Sequence, residues 1–257
     1  MRRLRERIGP DRYNGYGQLA DWRSGLVPGI EPELLGDRVF DLRARLARPD
    51  SPAALTLNSF LPWLRHMERL RLAGIEGFRE LHFDARCPTG VRGTPPHIEL
   101  IASGSSGVVG ASIRTFDYLA RRQSKLSPAY AALAVPETLR PWIELMRAVA
   151  ERAERFRYVD VPALAKLAVG MGRIFAGRPI RLLYIFLEPL DAANTSPFDE
   201  HRVELARLIA MVAESGVKLV ACSFHELWQG WRRDEPFPGL REIVAELEQR
   251  YSVAMPR

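Results

Sequence analysis

Thr94-Pro95-Pro96-His97-Ile98-Glu99-Leu100-Ile101-Ala102-Ser103-Gly104-Ser105-Ser106-Gly107-Val108-Val109-Gly110-Ala111-Ser112-Ile113-Arg114-Thr115 is the stretch on which the fold turns. His97–Ala102 and Val108–Thr115 are strand-length apolar runs, and the Gly/Ser segment between them permits a tight reversal. Run, turn and run predict a β-hairpin. Strand alternation puts Ser112 and Arg114 on one face of the second strand, while Glu99 interrupts the apolar residues of the first. The Gly104–Gly107 loop joins two strands, with no following helix and no Lys-Ser/Thr pair, so it reads as a turn and not a phosphate cradle. Ser103, Ser105 and Ser106 lack the strand-to-helix elbow of a hydrolase nucleophile.

Working outward, Phe78–Arg86 reads as a strand joined to the hairpin by a Pro/Gly-rich loop. Before it, Leu57, Phe60, Leu61, Leu64, Met67 and Leu70 recur at helical spacing over Ala54–Leu72, where Pro62 marks a kink or a first turn. Residues 1–53 are punctuated by Gly9-Pro10, Asn14-Gly15 and Pro28-Gly29, with one helix over Glu31–Arg48 built on Leu34, Leu35, Phe40, Leu42 and Leu46. They read as an arm or cap on a domain spanning 54–257. After the hairpin, Thr138–Phe156 carries an amphipathic stripe. Asp160 and Pro162 start a helix that runs to about Met171. Ile180–Leu187 and Val217–Phe224 are buried-type strands, with a helix over Phe198–Glu214 between them. Strand, helix, strand implies a parallel pair with a right-handed crossover. A last helix covers Gly239–Tyr251. The expected class is α/β, a mixed central sheet flanked by helices.

Of the 257 residues, 47% are apolar and 26% charged, the balance of a folded protein. No run approaches the ~20 apolar residues of a membrane helix. Met1–Arg7 is basic but lacks the apolar segment of a signal peptide. A cytoplasmic protein without a membrane partner is expected. Cys87 and Cys222 read as free thiols. The net charge of +6 favours a polyanionic partner. However, Lys125, Lys166 and Lys218 are the only lysines, and an Arg bias alongside abundant Ala, Pro and Gly is what a GC-rich genome produces.

An acid on one strand, faced by two polar positions on its neighbour, is how metal-dependent nucleases build a site. Carboxylates hold Mg²⁺, which lowers the pKa of an attacking water. A nearby cation then stabilises charge on the phosphate. Thr94–Leu100 with Val108–Arg114 resembles the two motif strands of the PD-(D/E)XK, or restriction-endonuclease-like, superfamily. The stretch from Phe83 through Asp117-Tyr118-Leu119, and the run Leu182–Pro189, are similar to bacterial proteins of that type. The resemblance covers roughly residues 55–230 by element order.

It implies a restriction-endonuclease-like core and a Mg²⁺-dependent DNA phosphodiesterase, with RNA as another partner. Glu99 stands where the family has its metal-binding Asp, one methylene longer. Ser112 stands where a second carboxylate is expected, and a hydroxyl is a poor Mg²⁺ ligand. Arg114 holds the lysine position; it can grip a phosphate but stays protonated and cannot act as a base. Glu80, Asp84 and Asp117 are the candidates to supply the missing carboxylate, with Glu68 and Glu76 behind them. Arg114, Arg121, Arg122 and Lys125 are candidate backbone contacts, although a basic run is also what a solvated face looks like. Trp228 and Trp231, beside Arg232 and Arg233, read as packing rather than a stacking platform. The five histidines are scattered without metal-ligand spacing. The altered positions leave a second reading open, an inactive nucleic-acid-binding or scaffolding module of the same fold. An unrelated α/β enzyme is the third.

Overall fold

Five strands lie side by side in sequence order: β1 (Phe78–Arg86), β2 (His97–Gly104), β3 (Gly107–Arg114), β4 (Ile180–Phe186) and β5 (Val217–Ser223). β1, β2 and β3 form an antiparallel meander, and β3, β4 and β5 run parallel. The expected strands, the hairpin and the parallel pair are therefore present in a mixed sheet. The computed structural model describes residues 6–254 except 131 and 194, and of residues 10 and 37–42 it describes the backbone alone. The basic run at residues 1–5 and the side chains of Phe40 and Leu42 lie outside the described residues.

Alternation along the strands sorts the core into two layers. Val109, Ala111, Ile113, Leu183 and Ile185 share one apolar cluster, whereas Val108, Leu182, Tyr184 and Phe186 belong to another. The first cluster is closed by α2 (Pro52–Phe60), α6 (Phe224–Asp234) and α7 (Leu240–Tyr251). The second is closed by α3 (Arg140–Ala150), α4 (Val161–Ile174) and α5 (Ser196–Met211). Each fully buried Leu, Ile or Phe contributes on the order of 1.5–3 kcal/mol, so covering both faces is what stabilises a sheet this apolar.

The N-terminal segment, which includes α1 (Val39–Leu46), adds Leu26, Val27, Ile30 and Leu35 to the first cluster. Buried Asn58 secures it. Its carboxamide oxygen accepts the Val27 amide at 2.7 Å, and its NH2 donates to Gly25 O at 2.8 Å and Tyr251 Oη at 2.9 Å. A buried amide is stable only when satisfied in this way.

Helix bounds differ from the sequence reading where local chemistry intervenes. The helix expected over Ala54–Leu72 stops as α2 at Phe60 and passes into 3-10 turns at Leu61–Arg65 and Met67–Arg69. Pro62 has no N–H to continue the ladder. The helix expected over Glu31–Arg48 is split at Gly36, whose φ of 52° is not helical. The expected start at Asp160 is present: its carboxylate accepts the Ala163 amide at 3.1 Å and α4 begins with Pro162 in its first turn. Among the described residues no helix is long and apolar enough to cross a membrane.

A basic cleft where the hairpin forks

The β2–β3 ladder runs from Gly104↔Gly107 to Leu100↔Ala111 and stops there. β3 continues beside β4 as far as Arg114↔Phe186. One residue past the last rung the Glu99 carboxylate takes the place of a backbone partner, accepting the Ile113 amide at 3.2 Å. The strands part at Glu99 and Ser112, and the space between them is open to side chains from elsewhere.

That space is a cleft of about 360 Å³. The hairpin contributes Glu99, Ser112 and Arg114, so the three motif positions share one hollow. Arg92 reaches it from the β1–β2 loop, Lys125 from the segment after β3, and Lys166 from α4. Asp160 fixes the Lys125 segment as it caps α4, accepting the Ser124 amide at 3.0 Å and the Ser124 hydroxyl at 2.7 Å. Lys166 donates to the Lys125 carbonyl and lies 5.8 Å from the Tyr130 ring centre. Tyr130 is in turn held by Thr89, oxygen to oxygen at 3.1 Å.

The electrostatics are lopsided. Four cationic side chains meet one carboxylate. Burial pushes the Glu99 carboxyl above the usual carboxylate range, opposed by Arg114 and the Ile113 amide. Arg114 is 18% exposed and lies 3.7 Å from Asp117. The Ser112 hydroxyl is buried and has no hydrogen-bond partner among the described residues. A buried hydroxyl left unpaired costs about 1–3 kcal/mol, and a ligand oxygen in the cleft would relieve that cost. Behind Arg114, the Tyr184 hydroxyl meets His201 Nε2 at 3.0 Å. Burial, with Arg202 adding to it, lowers His201 to about 3, so the imidazole is neutral.

The other candidates are dispersed. Asp84 is level with Glu99, because Phe83↔Leu100 and Ala85↔Ile98 bracket it, and it adopts a left-handed φ of 54°. Its carboxylate is engaged by Arg45 at 2.5 and 2.7 Å and by His97 Nδ1 at 3.2 Å. Glu80 pairs with Ser103, roughly 13 Å along β2 from Glu99, and accepts the Ser103 hydroxyl at 3.1 Å. Asp117 accepts the Thr115 amide at 2.9 Å. Arg121 donates to Tyr158 Oη at 3.1 Å, and neither it nor Arg122 lines the cleft. Glu68 and Glu76 line a separate cleft beside Trp63. Trp228 and Trp231 are core residues.

Among the described residues no three His, Cys, Asp or Glu side chains are placed to hold a metal ion. The carboxylates near the fork already have partners. Glu99 accepts the Ile113 amide, Asp84 is paired with Arg45, and the Arg114 charge acts on Glu99 from beyond ion-pair distance. Arg92 and Lys166 were not singled out by sequence reasoning. Their only signals are a loop position between the motif strands for Arg92 and, for Lys166, membership of a set of three lysines of which two line this cleft. No protein-family model, curated protein or solved structure matches the chain.

Proposed function

We propose that the cleft grips the phosphate backbone of a nucleic acid, DNA or RNA, and that the protein is a binding module of restriction-endonuclease-like descent without hydrolytic activity. The observation that carries this reading is the convergence of Arg92, Arg114, Lys125 and Lys166 on one hollow that holds a single carboxylate and an unpaired buried hydroxyl. Phosphate oxygens would satisfy the donors that Asp117 and the Lys125 carbonyl leave open. Guanidinium takes them two at a time, and lysine adds point charge. A mixed sheet whose antiparallel hairpin carries the motif positions supports the descent. An arginine that holds the lysine position and stays protonated, beside a hydroxyl where a second carboxylate would stand, supports the loss of activity.

Magnesium-dependent cleavage is the second reading, favoured by Asp84 lying level with Glu99. The two separate cleanly. Purified protein is incubated with labelled single-stranded and duplex DNA and with RNA, in Mg²⁺ or Mn²⁺, then assayed for retention and for products. Retention that weakens steeply with salt, without products, is expected. Cleavage that disappears in Glu99→Gln would establish the hydrolase instead.

A further inference from the structure

The basic cleft does not end at Glu99. On the opposite side of β2 lies a second hollow of about 590 Å³, lined by Gln18, Arg45, Arg48, Asp84, His97 and Glu99 among others. His97 and Glu99 border both. The first hollow is walled by α4, which packs on one face of the sheet, and the second by α1 and the start of α2, which lie on the other. A path between them must turn around the first residues of β2. Arg45 is committed to Asp84; Arg48 is exposed, its Nε and Nη2 donating to the Gln18 amide oxygen at 3.2 Å, and it has no carboxylate partner among the described residues.

We infer that the ligand is single-stranded nucleic acid that runs from one hollow to the other around the start of β2. This rests on the phosphate-binding reading of the first cleft and adds the strandedness and the path. Two observations carry it. The innermost groups of the cleft are recessed behind the exposed Arg92 and Lys125, with Ser112 1% exposed and the Arg114 side chain 18% exposed. A duplex carries its phosphates on a rod with a persistence length of about 150 base pairs, and can neither enter such a hollow nor bend around one strand end. A single strand can do both, and Val91, Pro96 and Leu167 give its bases or sugars apolar walls inside the first cleft.

Fluorescence anisotropy at fixed low salt tests this, with a labelled thymidine dinucleotide, a longer oligothymidylate and a blunt duplex. The longer strand is expected to bind more tightly than the dinucleotide and about tenfold more tightly than the duplex. Arg48→Ala and Arg48→Glu are each expected to weaken the longer strand, roughly fivefold for the charge reversal, and to leave the dinucleotide unchanged. Unaltered melting of both variants shows that the fold is intact. Dinucleotide binding with no gain on lengthening, no effect at Arg48, or an equally tight duplex overturns the single-strand path while leaving the cleft reading in place. Failure of every probe to bind the wild-type protein overturns both.

Discussion

Arg114 is a cation that cannot shed its proton, set between Glu99 and Asp117 with Tyr184 behind it. An arginine there fixes the character of the fork: its charge opposes the burial that raises the Glu99 carboxyl, and it still offers donors to a phosphate. Its support reaches into the core through Tyr184 to His201, whose Nδ1 is buried without a partner among the described residues and whose ring stacks on Tyr118 at 4.2 Å. His201 also gives the fold a pH dependence of definite sign. Its folded pKa, about 3, lies below that of an unfolded histidine, so the unfolded chain binds the proton first. Stability is therefore complete above the ordinary histidine pKa and is lost as pH falls from there toward 3. The loss is bounded at about 5 kcal/mol, from 1.36 kcal/mol per pKa unit. Melting temperatures measured across that window should drop more steeply for the wild type than for His201→Gln. Parallel curves would mean that the imidazole is not kept neutral by burial.

Among the elements, α4 brings Lys166 to the hairpin, and it can do so only because glycines let it come close. A methyl on Gly110 of β3 would lie 2.3 Å from Met171 Sδ, and one on Gly170 of α4 would lie 2.5 Å from the Cys87 carbonyl oxygen. The second obstacle is backbone and cannot rotate away. Gly170→Ala should destabilise the protein by roughly 1–3 kcal/mol despite alanine's better helix propensity, as read from urea unfolding. A neutral or stabilising result would show that α4 is not seated this tightly. The elements themselves are largely legible in the sequence. The Gly/Ser turn, the Asp160 cap and the strand-helix-strand order are local signals, and each has its counterpart in the fold. Ser223-x-x-Glu226 is equally readable, a capping box in which the Glu226 amide donates to Ser223 Oγ at 3.1 Å. It begins α6, a helix missing from the sequence expectations, where Trp228 and Trp231 stand only as packing. The fork is not legible, because the end of a ladder depends on where β1 and β4 hold their neighbours, and no residue within the hairpin records that.

For the whole molecule, a net charge of +6 says little until the fold distributes it. Much of the arginine surface is spent in ion pairs, such as Arg65–Glu31, Arg71–Glu76 and Arg241–Glu235, each worth little on its own in water. The cleft departs from that pattern by gathering cations from a loop, a strand, an inter-element segment and a helix far apart in the sequence, which is why spacing alone could not reveal Arg92 or Lys166. The central claim is that these cations act together on phosphate, and the salt dependence of binding tests it most directly. The affinity of a labelled single-stranded oligonucleotide should be measured across a salt series for the wild type and for Lys125→Ala/Lys166→Ala. Binding should weaken at every salt concentration, with a log–log slope shallower by about 2, one for each phosphate that the missing lysines no longer neutralise. An unchanged slope and affinity would place the nucleic acid elsewhere on the protein and rule out the cleft as its phosphate site.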